Sequence, residues 1–248
     1  FTTIWYQQCL RNSSSLTDTF IYNLGAALTN FSTMAFQGIS YSTASVGVDG
    51  EDPVYAVFQC RGDLKVSSCY ACEQIAANRL TQACQNSVGA RIQLDGCFLR
   101  YDNRSFFNLD TNAIMALCNV QNTSNITVLT AIDDVMGRVL SLAPAQEGFA
   151  YSLTASFSRN LNITLGNFFA MASQGTYYST ATADIFGTDP LYAVFQCRGD
   201  LTVETCYVCV QKAAALRDTC TKSVGARIQL DGCFLRYDNR SFFSLDTD

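Results

Sequence analysis

The chain contains no histidine at all. That removes Ser-His and Cys-His nucleophile systems, in which an imidazole must take and return the proton. It also takes away the commonest partner of cysteine in a zinc site. Positive charge is scarce: 16 Lys and Arg stand against 21 Asp and Glu in 248 residues, a formal net charge of -5. Nucleic-acid binding demands clustered positive charge, and anionic lipid attracts basic segments, so neither is expected as a partner. No apolar run approaches the roughly 18–20 residues needed to span a bilayer. Phe1 begins no signal peptide, and the sequence reads as that of a processed chain.

What is abundant is cysteine, with twelve copies, and apolar residues, at 48%. An even cysteine number at repeated spacings reads as a disulfide framework made in an oxidising compartment. Seven asparagines open an Asn-x-Ser/Thr sequon: Asn12, Asn30, Asn103, Asn122, Asn125, Asn162 and Asn239. As candidate N-glycosylation sites they point the same way, to secretion and an extracellular, apoplastic location.

The sequence repeats itself. Val54–Leu64 reads VYAVFQCRGDL and Leu191–Leu201 reads LYAVFQCRGDL, while SVGARIQLDGCFLRYDNRSFF occurs at Ser87–Phe107 and again at Ser223–Phe243. Two copies of one domain follow, at residues 1–112 and 113–248. The offset between copies is 137 through Cys72/Cys209 and 136 from Cys84/Cys220, which places a one-residue deletion at a helix end. Upstream the register fails. Cys9 would face Gln146, and the only unmatched cysteine of the second copy is Cys118. Extra residues therefore lie between Cys118 and Leu153. Val128, Ile132, Val135, Met136 and Val139 recur there in helical phase, predicting an inserted helix near 126–143.

Helical periodicity appears at Phe20, Leu24, Ala27, Leu28, Phe31 and Ala35, and at Phe157, Leu161, Leu165, Phe168 and Ala172. A second helix is expected near Ser68–Cys84 and near Thr205–Cys220. Alternating β-formers mark strands at Tyr55–Gln59, Ala90–Leu94 and Cys97–Tyr101, and Asp95-Gly96 between the last two is a hairpin signal. Each copy is thus α+β, with helices packed on a small antiparallel sheet. The duplicated surfaces are nearly identical, so a hydrophobic contact between sheet faces is expected.

The cysteines run Cys60-x8-Cys69-x2-Cys72 and Cys197-x8-Cys206-x2-Cys209, followed by Cys84 and Cys97, or Cys220 and Cys233. A redox Cys69-x-x-Cys72 leaves the other thiols unexplained, and no metal is expected without histidine. Structural disulfides are the stronger reading, though spacing alone allows fifteen pairings per copy. Arg61-Gly62-Asp63 and Arg198-Gly199-Asp200 read as turns between strand and helix rather than as adhesion ligands. Asp95 and Asp102 bracket a hairpin, but nothing in the sequence marks them as an acid–base pair, and no enzyme activity and no cofactor are expected. Trp5, Tyr6, Tyr177 and Tyr178 are candidate aromatic platforms, and core is the commoner fate of such side chains.

The C-x8-C-x2-C spacing followed by GARIQLDGCFLRYDNRSFF resembles the plant ginkbilobin-type, or stress-antifungal, cysteine-rich domain. Both copies carry it, as in secreted cysteine-rich proteins, plasmodesmata-located proteins and ectodomains of cysteine-rich receptor-like kinases. The resemblance implies two helices on a five-stranded antiparallel sheet in each copy. It also implies the pairs Cys9–Cys84, Cys60–Cys69, Cys72–Cys97, Cys118–Cys220, Cys197–Cys206 and Cys209–Cys233. Carried over from a mannose-binding member, a sugar site falls on Asn119, Arg227 and Asp238. In the first copy the same positions are Leu10, Arg91 and Asp102, and Leu10 cannot hydrogen-bond a hydroxyl, so that copy should bind sugar weakly. An amide, a guanidinium and a carboxylate supply the donors and acceptors that adjacent hydroxyls need. A cross-strand ion pair between Arg227 and Asp238 is the competing, purely structural reading. The function implied first is a secreted, lectin-like defence protein that binds mannose-type glycans or fungal cell-wall mannan. The alternative is a cell-surface ectodomain that binds extracellular proteins.

Overall fold

A computed structural model describes residues 1–107 except 14 and 51, 113–118, 155–220 except 185, 186 and 188, and 223–243. The inserted helix expected near 126–143, the sequons at Asn122 and Asn125, and Asn119 of the sugar triad lie outside the described residues.

The first repeat runs β1 (Ile4–Asn12), α1 (Asp18–Phe36), β2 (Tyr41–Val46), β3 (Val54–Cys60), α2 (Val66–Ala83), β4 (Ser87–Leu94) and β5 (Cys97–Asp102). The second runs β6 (Ala113–Cys118), α3 (Ala155–Ser173), β7 (Tyr178–Ala183), β8 (Leu191–Cys197), α4 (Val203–Leu216), a 3-10 turn (Arg217–Cys220), β9 (Ala226–Leu230) and β10 (Cys233–Asp238). Each repeat forms one five-stranded antiparallel sheet, in the orders β1-β4-β5-β3-β2 and β6-β9-β10-β8-β7. Two helices cover one face of each, which is the α+β fold that the periodicity predicts.

Helix α1 starts where the Thr17 hydroxyl accepts the amide of Phe20 at 3.0 Å, an N-cap that satisfies one of the first orphan donors. It ends before Gly38, whose φ of +86° is the left-handed conformation that glycine adopts without a Cβ penalty. Between them Phe20, Leu24, Ala27, Phe31 and Ala35 turn one stripe inward. They meet Ala56, Phe58, Ile92, Leu94, Leu99 and Tyr101 from the inner face of the sheet, forming the first core. The second core repeats the pattern with Phe157, Leu161, Leu165 and Phe168 over Phe195, Ile228 and Leu235.

Six disulfides staple the repeats: Cys9–Cys84, Cys60–Cys69, Cys72–Cys97, Cys118–Cys220, Cys197–Cys206 and Cys209–Cys233. The one-residue deletion has a visible consequence. In the first repeat α2 runs on to Ala83, whereas in the second α4 stops at Leu216 and the chain tightens into the 3-10 turn that carries Cys220. A 3-10 turn rises about 2.0 Å per residue against about 1.5 Å for an α-helix, so four such residues recover about the length of the missing one. Cys220 still reaches Cys118.

Candidate functional site

Strand alternation turns Tyr55, Val57 and Gln59 of β3, and Phe98, Arg100 and Asp102 of β5, away from the helices. A solvent-facing sheet would leave them wet. Yet every residue of β5 is buried, and every residue of β10. The two repeats cover each other, outer sheet face against outer sheet face.

The contacts come in reciprocal pairs. The Gln59 side-chain amide donates to the Cys197 carbonyl at 2.9 Å, and that of Gln196 donates to the Cys60 carbonyl at 2.8 Å. Arg236 Nη1 lies 2.9 Å from Asp95 Oδ1, and Arg100 Nη1 lies 3.2 Å from Asp231 Oδ1. The ring of Tyr178 lies over Gly62 and that of Tyr41 over Gly199. Each contact maps onto its partner when the repeats are exchanged, so the junction is a pseudo-two-fold interface. Between the halves lies a cavity of about 40 Å³ whose walls include Gln93 and Gln229. It is large enough for water and too small for a sugar.

The junction is more polar than the duplicated surfaces suggest. Arg61, Arg198, Arg100, Arg236, Asp95, Asp231, Asp102 and Asp238 are all buried. Taking charge out of water is costly unless it is paired, and here the pairing is dense. Burial, and then the neighbouring Arg227, bring the Arg236 guanidinium down to about 10. Aromatic rings flank the charges: Phe106 lies 4.0 Å under Arg100, and Phe242 lies 3.8 Å under Arg236.

The two Arg-Gly-Asp tripeptides belong to this junction. Arg61 Nε and Nη2 reach Asp63 at 2.6 and 3.0 Å, and Arg198 reaches Asp200 at 2.5 and 3.0 Å. Each arginine is buried and folded back on its own aspartate, and each glycine receives a tyrosine ring from the other repeat. Burial, together with the Asp200 and Asp63 carboxylates beside them, raises the pKa of Tyr41 and of Tyr178.

The described sugar candidates, Arg227, Asp238, Arg91 and Asp102, lie at or beside the same junction. Arg227 stands opposite Arg236 in the ladder, two residues away from Asp238, and stacks 4.7 Å over Trp5 of the other repeat. Trp5 is buried, with Phe234 at 5.2 Å, so its faces are taken by protein. In the first repeat Arg91 faces Arg100, ion-pairs with Asp231 across the junction, and takes Gln8 Oε1 at 2.8 Å. Asp102 faces Gly89, pairs with Arg11, and accepts the Arg104 amide at 3.0 Å. Sequence reasoning missed Gln59, Gln196 and Tyr41. Their signal was their recurrence, at the outward positions of strands, in both copies.

Of the described sequons, Asn30 and Asn162 are exposed on helices, and the Asn103 amide oxygen accepts from Arg11 at 2.9 Å. Among the described residues no helix is long and apolar enough to cross a membrane. All twelve cysteines are closed into disulfides, which suits an oxidising, extracellular setting.

The family model described as Salt stress response/antifungal matches residues 7–104 and 145–240. The chain is 28% identical to plasmodesmata-located protein 6 of Arabidopsis thaliana, over 92% of this chain and 74% of that protein. It is 29% identical to cysteine-rich receptor-like protein kinase 42 of the same plant, over 82% of this chain but only 26% of the kinase. In fold it matches the crystallised tandem DUF26 ectodomain of the Arabidopsis cysteine-rich receptor-like protein PDLP8, with a TM-score of 0.75 and 23% identity, over 97% of this chain and 100% of that one. With a match to each repeat and a shared tandem fold, the chain belongs to the Salt stress response/antifungal family of extracellular cysteine-rich domains.

Proposed function

We propose that this chain is a non-catalytic recognition module at the plant cell surface and that its ligands are extracellular proteins, as in an ectodomain. The observation that carries this reading is the junction. Both outer sheet faces are spent on each other, so the surface left for a partner is helical. That surface carries large apolar groups in water: Tyr22 at 76% and Phe36 at 71% exposure on α1, and Ile163 at 56% on α3. Exposed aromatics are the side chains that anchor protein interfaces. Kinship with plasmodesmata-located proteins and a receptor-like kinase supports the same reading.

The test is surface-plasmon binding of the glycosylated chain to a panel of plant receptor ectodomains. Tyr22→Ser and Phe36→Ser should weaken a positive interaction at least about tenfold, the loss of one interface anchor. A panel-wide absence of binding would overturn the reading.

Mannose-type glycan binding through Asn119, Arg227 and Asp238 is the second reading. One observation favours it: the Arg227 Nε, though buried, makes no hydrogen bond to another described residue. Saturable mannan binding by deglycosylated protein, lost in both Asn119→Ala and Arg227→Ala, would establish it.

A further inference from the structure

Between α3 and α4 the second repeat carries an open groove of about 350 Å³, within the size range of small-ligand sites. One wall is a single helical stripe of α3: Asn162, Leu165, Gly166 and Phe169, spaced i, i+3, i+4, i+7. The facing wall is the stripe Gln211, Ala214, Ala215 and Asp218. Gly166 opens the space, since a Cβ there would meet nothing within 4 Å. Phe169 is half-buried on the same stripe.

Asn162 heads the groove and begins the sequon Asn162-Ile163-Thr164. Its side chain is held: Arg217 Nη2 donates to its amide oxygen at 2.7 Å. That bond uses the oxygen and leaves Nδ2, the atom that carries an N-linked glycan.

The first repeat lacks both features together. At the offset of 137, Asn162 becomes Gly25, Gly166 becomes Thr29 and Phe169 becomes Ser32. Ser32 and the amide of Gln74 converge there on Glu73 at 2.9 and 3.0 Å, so a polar cluster occupies the space between the helices. Sequon and groove occur in the same repeat, on the same stripe.

We propose that the α3–α4 groove is the docking site of this chain's own N-linked glycan on Asn162. The attachment transfers an oligosaccharide from a lipid pyrophosphate donor: Nδ2 loses a proton and bonds the sugar C1, and the lipid pyrophosphate leaves. The first N-acetylglucosamine then lies along the groove. Its apolar face packs on Phe169 over the gap at Gly166, and its hydroxyl and acetamido groups meet Gln211 and Asp218. The glycan acts as a cover joining the two helices of the second repeat.

The test compares native release of glycans by peptide-N-glycosidase at Asn162 and at Asn30, an exposed sequon on α1, followed by mass spectrometry of glycopeptides. Release at Asn162 is expected to be slower by about tenfold, the factor that one stacking contact supplies. The two rates should become equal after denaturation. Phe169→Ser and Gly166→Trp should each speed release at Asn162 without changing Asn30. An unoccupied Asn162, or equal native rates, overturns the proposal. So does a fall in the Tm of glycan-free protein on Gly166→Trp, because the groove would then be filled by the chain's own residues.

Discussion

The ring of Tyr178 lies flat against Gly62 of the other repeat, so close that a Cβ at Gly62 would sit 2.9 Å from Cγ and Cδ1 of the ring. Neither Gly62 nor Gly199 has a positive φ, so the glycine is required by the approach of the ring and not by the backbone conformation. Tyr41 makes the same approach to Gly199. An aromatic ring cannot yield as the end of a flexible side chain can, so the contact reports directly on the docking of the repeats.

Gly62→Ala should therefore destabilise the tandem by about 1–3 kcal/mol, the usual cost of forcing an extra methyl into a packed contact. Tyr178→Ala should remove most of that increment, because the methyl then has room. A double-mutant cycle on denaturant midpoints measures the coupling. A coupling near zero would mean that the repeats do not hold the ring where it lies.

Asp95 binds two arginines of different repeats: Arg236 Nη1 at 2.9 Å, and Arg61 Nη1 at 3.4 Å. Asp95→Ala leaves buried positive charge uncompensated and should cost about 3–5 kcal/mol. Adding Arg236→Met should return much of the loss, since a well-packed apolar side chain in place of a buried ion is neutral or stabilising. Thermal unfolding of the single and double variants checks both parts. If the double variant is no better than the single, Asp95 acts through Arg61 alone.

These charges mark the limit of what the sequence made legible. The stripe Phe20, Leu24, Ala27, Phe31, Ala35 has a helical period, and Asp95-Gly96 signals a hairpin, so the helices and the three central strands were readable, while the edge strands β1 and β2 came only with the family resemblance. Alternation also says that Arg100 and Gln59 leave the core face. It cannot say what covers them, because the covering surface is another copy of the same pattern with a sequence separation of more than a hundred residues. The expected hydrophobic contact is present, with Trp5 of one repeat packed on Phe234 of the other, but beside it stands an arginine–aspartate lattice rimmed by Phe106 and Phe242 that the pattern did not announce. Arg227 and Asp238 were visible as chemistry, but the stacking of Arg227 on Trp5 arises only when the repeats close.

One difference between the repeats gives a pH dependence. Glu73 on α2 is buried beneath α1, with Oε2 accepting from Ser32 and Gln74 and Oε1 making no hydrogen bond to a described residue. The second repeat has Val210 there, also buried. Burial raises the Glu73 pKa above its ordinary 4.5, outweighing the two hydrogen bonds that lower it. The folded state therefore holds this proton more tightly than the unfolded chain does. Its contribution to stability is present in full below pH 4.5 and is lost as pH rises through the folded pKa. Glu73→Gln should flatten that part of the stability profile. Glu73→Val should raise stability at pH 7 by about 1–3 kcal/mol, the penalty of an unsatisfied buried polar atom. Denaturant unfolding at pH 4 and pH 7 separates the cases: the wild type should gain on acidification relative to both variants, and a gain shared equally by all three would assign the effect to other carboxylates.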